Sequence, residues 1–155
     1  DSRMTTSAIT GLSQPTTIFV VGSHTASAFS QLFDGVDASN RHALFASVTD
    51  MEMFAGISSN GGAKSAGTTR IIQCRFNTSS GSGIRISGGT LLGTGNVGTH
   101  QLTGLTIGNR YASSFSSAGD IAALLVANSD LSLTNVNLVG NYLAAKYGLT
   151  WSTAT

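Results

Sequence analysis

The chain has 155 residues, only 10% of them charged, and a formal net charge of +1. Its eight basic residues are scattered from Arg3 to Lys146, which excludes a phosphate-tracking stripe and argues against a nucleic-acid partner. No apolar run approaches the roughly 20 residues of a membrane helix, so membrane insertion is not expected, and the single cysteine, Cys74, excludes an intramolecular disulfide. The length is that of about one domain, large enough to bury a core without a metal or a disulfide. With 22 serines, 19 threonines and 19 glycines, the polarity is uncharged hydroxyl and backbone, which suits strands and turns better than exposed helices. The chain opens on Asp1 with Met4 inside, so it reads as a cut or processed piece.

Residues 1–13 form a Ser/Thr-rich lead-in, followed by a domain over residues 14–155 that begins with the only proline, Pro15. Ile18 to Val21 is a short continuous apolar run, the pattern of a strand covered on both faces. Phe29 to Asp34 is ambiguous, and Arg41 to Ser47 reads as a strand. Asp50 to Ile57 alternates, with Met51 and Met53 on one face and Asp50, Glu52 and Phe54 on the other. Ser58 to Thr69, with three glycines and almost no apolar side chain, reads as a long loop and hence a candidate functional one. Arg70 to Asn77 and Gly83 to Gly89 form a hairpin, the first strand placing Ile72, Cys74 and Phe76 on one side. After the glycine-rich stretch 93–99 come a strand over Gln101–Gly108 and a final, most apolar strand over Asp120–Val126. The tail differs. Ser132 is a suitable N-cap; Val136, Val139, Leu143 and Tyr147 recur at helical spacing; Lys146 falls in the last turn, and Gly148 before Leu149 fits a Schellman close. Many short strands and one terminal helix predict an all-β, two-sheet antiparallel sandwich with the helix capping it.

The stretches Gly119 to Val126, Leu131-Ser132 and Tyr142 to Leu149 resemble the C-terminal signature of concanavalin A-like lectin/glucanase domains of the laminin G type. Leu105 to Arg110 resembles the strand before that signature, and Pro15 to Val21 the opening strand, so the likeness spans about residues 14 to 151. It implies a jelly-roll sandwich, a fold used for glycan binding, adhesion, polysaccharide cleavage and virion surface modules. Phe33-Asp34-Gly35 with Asn40 to Phe45 is most similar to domains of bacteriophage structural proteins. Fold does not fix function, so the site has to be argued from its own residues.

Glycoside cleavage needs two flanking carboxyl groups. The glucanase members of the resembled family carry Glu-x-Asp-x-Glu on one strand, whereas Asp50-Met51-Glu52-Met53-Phe54 has only two acids, Glu52 being the sole glutamate. No catalytic set is identified, and the chain is not expected to be an enzyme. The resemblance also raises calcium: Asp34, Asp37 and Asn40 cluster in one loop, but their spacing matches no defined calcium loop, and an Asx-turn set explains them as well. No cofactor is therefore expected. His24, His42 and His100 have no ligand-like spacing and read as structural, and Cys74 reads as a small buried apolar residue. Tyr142, Tyr147 and Trp151 are expected to pack against a sheet.

Sugar binding stacks an aromatic ring on a pyranose face and adds convergent polar groups. Tyr111 and Phe115, in the Ser-rich loop opened by Asn109 and Arg110, are the candidates, with Asn60 and Lys64 from the long loop before Arg70. The expectation is a non-catalytic adhesion or decoration domain on a bacteriophage surface, touching glycans or neighbouring virion subunits. The alternatives are a secreted bacterial carbohydrate-binding module of a larger enzyme or adhesin, and a self-assembling, homo-oligomeric subunit. Either setting places it on a virion or outside the cell.

Overall fold

In the computed structural model, residues 3–25, 29–63, 66–78, 81–112 and 115–155 are described. The strands among them are β1 (Met4–Thr5), β2 (Thr16–Gly22), β3 (Ser30–Asp34), β4 (Ala43–Ala46), β5 (Asp50–Phe54), β6 (Ser58–Ala63), β7 (Arg70–Phe76), β8 (Ser82–Ile86), β9 (Leu92–Gly95), β10 (Thr106–Ile107) and β11 (Ile121–Ala127). One helix, α1 (Leu133–Tyr147), follows. The strands form two antiparallel sheets, one ordered β1-β10-β3-β4-β5-β6 and the other β11-β2-β7-β8-β9. The chain is thus the all-β, two-sheet antiparallel sandwich with one C-terminal helix that its pattern predicts.

The continuous apolar run of β2 has its explanation in burial on both sides. Ile18 and Val20 point into the space between the sheets with Ile72, Cys74, Leu44 and Met53, while Phe19 and Val21 point outward beneath α1 with Val136 and Leu143. The helix ends as its sequence demands. The Ser132 side chain accepts from the Asn135 N–H at 3.3 Å, and Gly148 takes the left-handed conformation (φ 65°) while the Leu149 N–H donates to the Ala144 carbonyl at 2.9 Å. Trp151 then folds back over Gly140, whose hydrogen leaves room that a β-carbon would lose, since it would lie 2.2 Å from the indole. The indole Nε1–H donates to Asn137 Oδ1 at 3.0 Å, and the ring meets Phe19 at 6.1 Å. Tyr147 also turns to the sheet, its hydroxyl donating to the Ala122 carbonyl, but Tyr142 does not pack and is 56% exposed.

Three stretches depart from the sequence pattern. Ser58 to Ala63 is strand β6 rather than loop, because an edge strand is held by backbone pairing, here Glu52 with Asn60 and Phe54 with Ser58, and needs no apolar period. Gly61 is required there: a β-carbon would come within 2.1 Å of Ile84 Cδ1 on the opposite sheet. Leu92 to Gly95, inside a glycine-rich region, pairs with β8 in the same way. Conversely, the strand predicted over Gln101–Gly108 shortens to β10 and one bridge from Leu102 to Leu12, and residues 6–12 of the lead-in bond along this irregular segment. The most apolar strand, β11, lies at a sheet edge, with Leu125 and Val126 each 37% exposed.

Cys74 is fully buried in the core, and burial pushes its thiol pKa up, away from nucleophilic use. None of the described helices is long and apolar enough to cross a membrane.

Candidate functional site

The outward face of the six-stranded sheet is built by the second half of the alternation that buries Met51 and Met53. On β5, Glu52 and Phe54 face out and are half-buried. Across the ladder, Phe45 of β4 stands opposite both Gln31 of β3 and Glu52. Phe29 precedes β3, and the chain returns over this face after β10, bringing Arg110 and Phe115. Together Phe29, Gln31, Arg41, Phe45, Phe54, Ser58, Arg110 and Phe115 line a cleft of about 240 Å³.

Its frame is one carboxylate. Asp34, at the end of β3, is fully buried and accepts from the Gly35 N–H (2.8 Å), from Arg41 Nε and Nη2 (2.7 and 2.8 Å) and from the Tyr111 N–H (3.3 Å). Burial pushes its pKa up from the ordinary carboxylate range, opposed by Arg41 and by the two backbone donors. The bidentate pair fixes the Arg41 guanidinium in one plane, its carbon 4.5 Å from the Phe54 ring centre and 5.0 Å from that of Tyr111. One acid thereby joins the β3 end, the entry to β4 and the loop bearing Tyr111. In that loop Arg110 lies 5.4 Å from both the Tyr111 and Phe115 ring centres, and Phe115 meets Phe29 at 5.5 Å.

The residues predicted for sugar contact separate into groups. Arg110 and Phe115 line the cleft, and Tyr111 lies against Arg41 and Arg110 without lining it. Asn109 is fully buried, with its Oδ1 accepting from the Arg110 N–H at 2.7 Å, so it shapes the loop from within. Asn60 lies on β6, exposed, with its side chain turned back to the Gly62 N–H. Lys64 lies outside the described residues. The reading from sequence missed Arg41, Phe45, Phe54, Phe29, Gln31 and Ser58. One signal was present: Phe54 falls on the polar side of an alternating strand, an aromatic ring where a solvated side chain is the rule.

The trio considered for calcium does not fit a cation. The oxygens of Asp34 are taken by Arg41 and by N–H donors. Asp37 Oδ1 accepts from the Ser39 and Asn40 N–H groups at 2.8 Å, the Asx turn that ends the strand, and these hydrogen bonds hold its carboxyl below the usual range. Among the described residues no three His, Cys, Asp or Glu side chains gather into a metal-binding group. His42 is held structurally: it is fully buried, stacked on Phe76 at 4.3 Å, with Nε2–H donating to the His100 carbonyl (2.9 Å) and Nδ1 accepting from the Thr16 hydroxyl (3.0 Å).

No protein-family model matches the chain, and no curated protein does either. Solved structures do match. Trypanosoma rangeli sialidase in complex with sialic acid is 13% identical with a TM-score of 0.62, covering 88% of this chain and 24% of that one. The same sialidase as a covalent intermediate with 2,3-difluorosialic acid gives the same figures, and with the inhibitor DANA the TM-score is 0.61. The chain spans about a quarter of the length of these solved chains, and at this identity the likeness is one of fold. The expectation that the chain is not an enzyme does not stand beside these matches, because the solved structures named here are sialidases, which are enzymes. The laminin G and bacteriophage parts of the resemblance find no support in these matches.

Proposed function

We propose that this chain is a saccharide-binding β-sandwich module whose site is the cleft on the outer face of the six-stranded sheet. The observation that carries this reading is the convergence of Phe29, Phe54 and Phe115 with the guanidinium groups of Arg41 and Arg110 around one concavity. Aromatic faces take the apolar side of a pyranose ring, and planar donors take its hydroxyl groups. The fold shared with sialidases, proteins that handle glycans, supports the same reading, as does the charge-poor, hydroxyl-rich surface. Such a module serves outside the cell, as part of a longer glycan-processing protein or of an adhesin.

A glycan array followed by isothermal titration tests the proposal. The wild-type chain binds at least one saccharide class, and Phe115→Ala weakens that binding about tenfold or more, the loss of one stacked ring at roughly 1.4 kcal/mol. Absence of binding to every glycan on the array, or full affinity in Phe115→Ala, overturns it.

A further inference from the structure

The two arginines of the cleft differ in one respect that bears on the ligand. Arg41 has its charge matched in place, by two short bonds to the buried carboxylate of Asp34. Arg110 has none. Among the described residues no carboxylate forms a salt bridge with it, and its Nε is buried without a hydrogen-bond acceptor, while its guanidinium lies between the rings of Tyr111 and Phe115. A desolvated guanidinium N–H without an acceptor is costly, and the rings that hold the group supply only the soft attraction of their faces. The group that completes such a site is an anion with a planar or forked set of oxygens, which accepts two N–H bonds at once. A cavity of about 240 Å³ floored by Phe45 and Phe54 also leaves space for roughly one ring beside that anion.

We propose that the cleft selects an acidic saccharide, with a carboxylate or sulfate of the sugar on the Arg110 guanidinium and the ring against Phe115 and Phe54. This rests on the saccharide-binding reading above and narrows it. Carboxylated and sulfated sugars share the chemistry, and the test separates them.

The probes are lactose, 3′-sialyllactose, its methyl ester, 6′-sulfated lactose, and trigalacturonate with and without esterification, titrated into the wild-type chain and into Arg110→Gln and Arg110→Lys. At least one acid binds ten times tighter than its neutral or esterified counterpart, and raising salt weakens only the acid. Arg110→Gln removes that tenfold preference, lowering the affinity for the acid far more than that for its neutral or esterified counterpart; Arg110→Lys, a point charge without the fork, keeps part of the preference. Which acid shows the preference distinguishes carboxylate from sulfate. Equal affinity for acid and neutral partners, or an undiminished preference in Arg110→Gln, overturns the proposal while saccharide binding stands; no binding to any probe or array glycan overturns both. Should Arg110→Gln melt well below the wild type, the acid and ester pairs on the unaltered chain decide alone.

Discussion

The two sheets turn one face each to a common core, and their other faces meet opposite fates. Outside the five-stranded sheet, Phe19, Val21 and Ile71 are apolar, and a helix, a glycine and a folded-back tryptophan cover them until Phe19 is 1% exposed. Outside the six-stranded sheet, Phe45 and Phe54 share the face with Gln31 and Glu52, and among the described residues no helix lies over them as α1 lies over β2; the loop with Arg110 and Phe115 reaches across and forms a wall of the cleft. The difference is one of composition. The apolar part of a face, here Phe19, Val21 and Ile71, has to be roofed, and the Gln73 and Arg85 side chains beside it pair with each other, whereas a face of mixed aromatic and polar groups is stable in water and remains free to bind.

Truncation on the two faces gives the largest contrast. Phe19→Ala empties a closed layer and is expected to cost about 3–5 kcal/mol, while Phe45→Ala, half-buried in the cleft, costs about 1 kcal/mol and weakens saccharide binding instead. Urea denaturation of both variants measures this; equal losses would show that the open face is as structural as the roofed one. The interior common to both faces responds to acid. Burial holds the His42 pKa down to about 4, so below about 6.5 the unfolded chain takes up a proton that the folded chain refuses. Stability therefore falls as the pH drops from about 6.5 to 4, by roughly 3 kcal/mol, and this contribution is level above that window. Denaturation midpoints at pH 7, 5.5 and 4 should show the slope, and His42→Gln should flatten it; a wild-type chain equally stable at pH 7 and pH 4 contradicts the assignment. The smallest effect is none at all. With the Asp34 oxygens committed to Arg41 and those of Asp37 to their own turn, adding a chelator should leave the melting temperature unchanged, and a drop of several degrees would reveal a cation these residues do not explain.

Much of the fold was legible before any coordinates. The four-residue apolar run of β2 announced a strand with two covered sides, the Met51/Met53 alternation fixed which half of β5 is inward, and Ser132 and Gly148 bracketed α1. The edge strands β6 and β9 were not legible, since serine, asparagine and glycine paired through their backbones leave no mark of period two. Of the candidate cleft, the lining residues Arg110 and Phe115 could be named, because an aromatic ring in a serine-rich loop stands out against its surroundings.

The order of local patterns along the chain therefore determined the class of fold, the helix and its caps, and the inner faces, since each depends on residues within a turn or a strand of one another. Only the tertiary structure decided that Arg41 belongs to the cleft, that Asp34 is a clamp rather than a cation ligand, and that Arg110 meets no carboxylate among the described residues. Those properties arise where Asp34 meets a backbone N–H 77 residues away, and nothing in the spacing of a one-dimensional chain encodes which distant strands will lie side by side.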